Sequence, residues 1–89
     1  MPDNHIARLN LTLLKVSIRN ALWQANQAQC AAYRMLDEDA GLPDDCVGIA
    51  AELCSRLRAA IGTLDNMQSQ ADELRAQYER ITGTQVHQP

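Results

Sequence analysis

Small and apolar residues recur at alternating steps of three and four along two stretches of this chain, from Leu11 to Met35 and from Cys46 to Ile81. Such a heptad pattern places a continuous stripe along one face of an α-helix, and two such stripes pack against each other. Between the stretches lie Gly41 and Pro43, residue types that end helices. The pattern therefore predicts an all-α fold, an antiparallel two-helix hairpin of the coiled-coil type.

The capping residues predict where the two helices begin and end. Asp3 or Asn4 is suited to cap the first helix, and Gly83 is suited to end the second. The 89 residues are expected to form a single domain. Its expected parts are helix 1 at about 4–39, a turn at 40–44, helix 2 at about 45–82 and a frayed tail at 83–89.

The heptads also predict which residues lie in the seam, the line of contact between the two helices. With Leu11 and Ala50 taken as position a, we expect positions a and d to form the seam. Large residues then face small ones, as Leu14 faces Ala71.

The e positions, among them Leu22 and Ile61, are expected to lie beside the seam as an apolar flank, while the g positions form a polar flank. A two-helix hairpin is too small to cover an apolar flank by itself. The prediction is a four-helix bundle or a larger oligomer.

A second apolar stripe, the outer stripe, lies at the c and f positions of helix 1, which point away from the seam. Large exposed side chains in a line usually mark an interface, and Trp is enriched at binding hot spots. The stripe is expected either to bind a partner protein or to form the core of a bundle with a second copy. Its members are Ile6, Leu9, Leu13, Val16, Trp23 and Cys30.

Helix 2 carries small residues at every f position, with Gly48 and Gly62 among them. Glycine costs about 1 kcal/mol relative to alanine inside a helix, so its presence needs a reason. One interpretation is a groove at Gly62 against which another helix packs closely. The alternative is an exposed face that tolerates two glycines.

Catalytic and metal-binding patterns are not found in the sequence. His5 and His87 lie near the termini, no His and Cys residues have zinc spacing, and no Gly-rich phosphate loop occurs. We expect no enzyme, no catalytic residue, no metal and no cofactor. Three cysteines without a feasible pair, and no signal peptide or apolar run of about 18 residues, predict a cytoplasmic protein without a membrane partner.

Basic residues on helix 1 offer a third possibility. Arg8, Lys15 and Arg19 are possible anion contacts, so a nucleotide or nucleic acid between subunits of an oligomer is an alternative ligand. No aromatic residues are interleaved with these cations, and the net charge of the chain is −3. Nucleic acid is therefore not the expected partner.

The stretch from Gly41 to Met67 resembles the small helical-hairpin co-chaperones of type III secretion needle subunits. The similar features are Pro43 at the turn and residues 58–64, Arg-Ala-Ala-Ile-Gly-Thr-Leu. The resemblance implies a hairpin that pairs with a second chaperone and holds an apolar helix of the needle protein. From the residues alone we expect a non-enzymatic interaction protein that self-associates and acts as an adaptor, a chaperone subunit or an inhibitor of a larger complex.

Overall fold

The computed structural model describes residues 5–83 and shows an antiparallel hairpin of two α-helices. Helix α1 is His5–Met35 and helix α2 is Asp44–Thr82. The two helices pack side by side, and the hairpin measures 63 × 17 × 15 Å along its principal axes. The predicted all-α hairpin is confirmed. The predicted cap at Asp3 or Asn4 and most of the tail, 84–89, lie outside the described residues.

Helix α1 ends four residues earlier than the predicted Asp39, because Asp37 begins a separate turn. A short 3₁₀ helix spans Glu38–Ala40, and the carboxylate of Asp37 accepts a hydrogen bond of 3.2 Å from the backbone N–H of Asp39. Carboxylates are unfavourable at the C-terminal end of a helix and favourable at the N-terminal end. The acidic residues 37–39 therefore cap and begin a new turn instead of extending α1.

Two glycines end helical segments in the left-handed conformation that only glycine adopts without strain. Gly41 has φ +75° and follows the 3₁₀ helix, and Gly83 has φ +68° and follows α2. The N–H of Gly83 donates to the carbonyl of Glu79 at 2.7 Å. Both positions agree with the predicted helix stops.

The seam is formed by positions a and e, so the predicted a and d seam is wrong in one of its two columns. Within the two heptad stripes every a residue is buried or half-buried, and every d residue is exposed. Ile18 at an a position is 6% exposed, whereas Leu14 at a d position is 40% exposed. The e residues Leu22 and Ile61 are half-buried. Both helices are rotated about their axes toward position e.

Polar links across one edge of the hairpin accompany this rotation. The Lys15 ammonium lies 2.8 Å from a carboxylate oxygen of Asp72, and Arg58 donates a hydrogen bond to the hydroxyl of Tyr33. Lys15 is an e residue and the other three occupy b positions, which flank e. Rotation toward e brings these groups together, while the aliphatic stem of Lys15 covers the seam. The d residues are left on the opposite edge.

Candidate protein-interaction surfaces

The outer stripe of α1 is exposed over most of its length, as its c and f positions require. Trp23 has 60% of its surface exposed, and Ile6, Leu9 and Leu13 are exposed to a similar extent. Cys30 is exposed, whereas Val16 is half-buried. Five of the six predicted members therefore present apolar surface to solvent on one face of one helix.

Leu22 and Ile61, which we expected to form an uncovered flank beside the seam, lie in the seam itself. Both are half-buried, and Cys54, on α2 one turn before Leu57, is buried. The predicted apolar flank at position e is therefore wrong. A residue in the helix–helix contact of one hairpin does not present its full surface to a second molecule.

The apolar surface that the hairpin leaves open lies instead at position d, and we name it the d face. Residues from both helices contribute to it, and near the open end of the hairpin Leu14, Met67 and Leu74 line a shallow groove together with seam residues. Sequence reasoning assigned the d residues to the seam and so missed this surface. The members of the d face are Leu14, Ala21, Ala28, Met35, Cys46, Leu53, Ala60, Met67, Leu74 and Ile81.

The edge opposite the d face is polar and holds the two helices in register. The hydrogen bond from Lys15, together with the ammonium charge, holds the pKa of Asp72 below its usual range. The hydrogen bond to the Tyr33 hydroxyl raises the pKa of Arg58 above its usual value, so its charge is retained. Charged and polar side chains make up most of this edge, so it suits an apolar partner less well than the d face or the outer stripe.

The three predicted anion contacts do not form an open cationic cluster. The Lys15 side chain is 14% exposed and is paired with Asp72. Arg8 is half-buried, and its Nε is buried without a hydrogen-bond partner. Arg19 is exposed. A bound phosphate would have to displace Asp72 from Lys15, so the geometry favours an apolar ligand over an anion.

The face that carries Gly62 is open in the hairpin. A Cβ atom added to Gly62 or to Gly48 would meet no other group within 4 Å. Within residues 5–83, no contact therefore requires glycine at either position. The predicted groove for a second helix remains a prediction about an intermolecular contact.

Reactive and metal-binding groups are dispersed over the hairpin. All three cysteines are free thiols, with Cys54 buried and Cys30 and Cys46 exposed. Among residues 5–83, no three His, Cys, Asp or Glu side chains are close enough to bind a metal ion together. Within the same range, neither helix combines the length and the apolar character needed to cross a membrane.

Comparisons with known proteins give no relative. No protein-family model, no curated protein and no solved structure matches the chain. The resemblance to type III secretion co-chaperones therefore stays a prediction. The outer stripe and the d face are therefore the features of this chain that bear on its function.

Proposed function

We propose that this chain is a non-enzymatic protein–protein interaction module that self-associates and binds a partner protein through the outer stripe of α1. The observation that carries the proposal is the exposure of Trp23 in line with Leu9 and Leu13 on a single helix face. An adaptor, a chaperone subunit or an inhibitor of a larger complex all use such a surface. Free thiols at all three cysteines suit the reducing cytoplasm.

The energetic argument is the cost of leaving these side chains in water. Covering a large apolar side chain contributes about 1.5–3 kcal/mol, so three or four of them contribute enough to drive association. Trp is among the residues most enriched at binding hot spots. Such a row on a helix fits an apolar groove of a partner, with anchors spaced three, four and seven residues apart.

The charges on α1 define the rim of the partner's groove. Residues 5–35 contain Arg8, Lys15, Arg19 and Arg34 and no acidic residue. Arg19 and Arg34 are exposed. A groove with an apolar floor and acidic residues at its rim complements this helix, since opposite charges across an interface steer association and fix register.

The outer stripe is available without opening the hairpin. Its c and f positions point away from the seam, in which Ile18 and Ala32 are buried. A partner therefore binds the folded hairpin, and no ordering of the two helices has to accompany binding. Preorganised helices of this kind lose little conformational entropy on binding.

Substitution of Trp23 tests the proposal. We expect Trp23→Ala, used as an affinity bait, to lose at least 10-fold of the captured partner while its helical circular dichroism is unchanged. Ile49→Ala is the matched control, because Ile49 is exposed at 70%, compared with 60% for Trp23, but lies on α2, away from the stripe. Equal capture by wild type and Trp23→Ala, confirmed with the purified partner, would refute the role of the stripe.

A type III secretion needle co-chaperone is the second candidate, favoured by the hairpin with an exposed apolar helix that the resemblance implies. In that role the outer stripe holds the apolar helix of a needle subunit. Co-expression with a needle subunit and its second chaperone tests this candidate. A stable ternary complex that Trp23→Ala disrupts supports it, and separate elution of all three proteins refutes it.

A further inference from the structure

We infer that the d face is a homodimer interface, in which a second copy of this chain packs with its loop at the opposite end to complete an antiparallel four-helix bundle. This inference deepens the proposed self-association and rests on it. The second copy binds the d face and the partner protein binds the outer stripe, so the hairpin can bind both at the same time.

The heptad pattern supports a bundle in preference to an isolated hairpin. Helices in the core of a bundle are apolar at a and d and at one flanking position, whereas a pair of helices needs only two such columns. In this chain a and e are consumed by the seam, and the third column, d, is exposed along both helices. Leu14, Leu53 and Leu74 are 40–51% exposed there.

The side of the hairpin that carries the d face is large enough for a stable dimer. The hairpin is 63 Å long and 17 Å wide, so this whole side, with its polar border, covers roughly 1,000 Å², compared with about 800 Å² per partner in a standard protein interface. The groove formed by Leu14, Met67 and Leu74 provides a recess for a protruding side chain of the second copy. Area and shape therefore suit a partner of the same length.

The arrangement of side-chain sizes suits a two-fold axis through the middle of the d face. Large residues lie on both sides of the middle, with Leu53 and Met35 toward the loop. Toward the open end they are Leu14, Met67, Leu74 and Ile81. The middle of the face carries only alanines. Because this order is similar from either end, two copies related by a perpendicular two-fold axis bring alanine onto alanine and large residues onto large residues. Small residues at the centre let helices approach closely.

Charge selects the orientation of the second copy. The loop half, residues 30–56, carries six acidic residues against two arginines. The open end, residues 5–18 and 68–82, carries four basic residues against three acidic ones. Copies with their loops together would bring two acidic ends side by side, whereas opposite loops place each acidic end beside the cationic end of its mate.

The border of the d face carries little charge that would oppose a copy of itself. The g positions that line it on α1 are Asn10, Ser17, Gln24 and Ala31, and on α2 Thr63, Gln70 and Gln77 continue the uncharged border. Arg56, the one charged g residue of α2, is paired with Glu52 at 2.9 Å. In a two-fold interface the same patch of each copy is in contact, so a charged border would face an identical charged border. An uncharged border avoids this like-charge repulsion.

The mass of the protein in solution tests the d face. We expect wild type at 100 µM to sediment at twice the chain mass of 9.9 kDa. Met67→Lys places a charge on the d face at a side chain that is 40% exposed, and it should give a folded monomer at the same concentration. The matched control Leu13→Lys, on the outer stripe, should stay dimeric. A monomeric wild type would overturn the inference together with self-association, and a dimeric Met67→Lys would overturn only the d face.

The distance between two labels tests the orientation. In a variant with Cys30→Ser, Cys46→Ser and Asp45→Cys, a nitroxide at position 45 marks the loop end of each copy without entering the d face, since Asp45 is exposed at a c position and Cys54 is buried. With loops at opposite ends the two labels should lie at least about 40 Å apart, because each is 15 helical residues from Ala60 in the middle of the d face. A distance below about 30 Å in a confirmed dimer would show loops together and overturn the antiparallel arrangement.

Discussion

The ammonium of Lys15 on α1 lies 2.8 Å from the carboxylate of Asp72 on α2, and this ion pair crosses the polar edge of the hairpin. Lys15 keeps only 14% of its side chain exposed, whereas Asp72 keeps 49%. The lysine stem covers the seam while its charge reaches the edge. The pair therefore connects the packing of the seam to the register of the two helices.

Asp72→Asn should weaken the hairpin slightly at neutral pH and change its response to acid. Because Lys15 lowers the pKa of Asp72 in the folded state, the pair stabilises the hairpin fully above the unfolded pKa of about 3.9 and loses this contribution as the pH falls through the lower folded pKa. We expect a loss of about 0.5 kcal/mol at pH 7, since half of the carboxylate is exposed. Urea unfolding at pH 7 and pH 3 measures both effects.

The matched control for this substitution is Glu73→Gln, which removes one charge from the adjacent exposed position. It should leave the stability at pH 7 within about 0.3 kcal/mol of wild type. If both variants lost stability equally, the effect would be one of net charge and not of the Lys15 pair. Added salt should shrink the difference between wild type and Asp72→Asn.

The hairpin, its two glycine stops and the end of α2 could be predicted from sequence because they depend on local chemistry. Gly41 and Gly83 adopt the left-handed conformation that their positions suggested, and α2 ends at the predicted Thr82. The a column of the seam was also predicted, since Ile18 and Ala50 are buried. Helix caps and heptad spacing depend on residues that are close together in the sequence, so they can be recognised from the sequence alone.

The choice between columns d and e could not be predicted from the period. Both columns carry apolar residues next to a, and their angular distance from a differs little on a helix wheel. The Lys15–Asp72 pair and the Tyr33–Arg58 hydrogen bond form only in the rotated arrangement, and both join residues distant in sequence. One feature of the sequence indicated which column lies beside the interhelical ion pair. Column e contains Lys15, which can form such a pair, whereas column d contains no charged residue.

Enlarging a seam alanine should destabilise the hairpin. Ala32 is 3% exposed and sits where the helices approach each other, so Ala32→Leu forces extra volume into a packed contact. We expect a loss of about 1–3 kcal/mol in the free energy of unfolding. Ala59→Leu, at an exposed c position on α2, is the control and should change stability by less than about 0.5 kcal/mol. A tolerated Ala32→Leu would place the seam elsewhere.

The thiols should differ in reactivity according to burial. Cys54 is 4% exposed in the seam, whereas Cys30 is exposed on the outer stripe. Alkylation of Cys30 in the folded protein should match a free peptide, and Cys54 should react at least 100-fold more slowly until urea unfolds the hairpin. Peptide mapping by mass spectrometry separates the two sites. Equal rates would mean that the seam opens rapidly or that Cys54 lies outside it.

Two glycines should respond oppositely to alanine. Gly62 lies inside α2 with open space where its Cβ would be, so Gly62→Ala should stabilise the hairpin by about 0.5–1 kcal/mol. Gly41 has φ +75°, which alanine adopts only with strain, so Gly41→Ala should cost about 1–2 kcal/mol. Thermal and urea unfolding of both variants measure these changes. Because f positions point away from the d face, Gly62→Ala should also leave the dimer intact, and dissociation of that variant would instead place a second helix against Gly62.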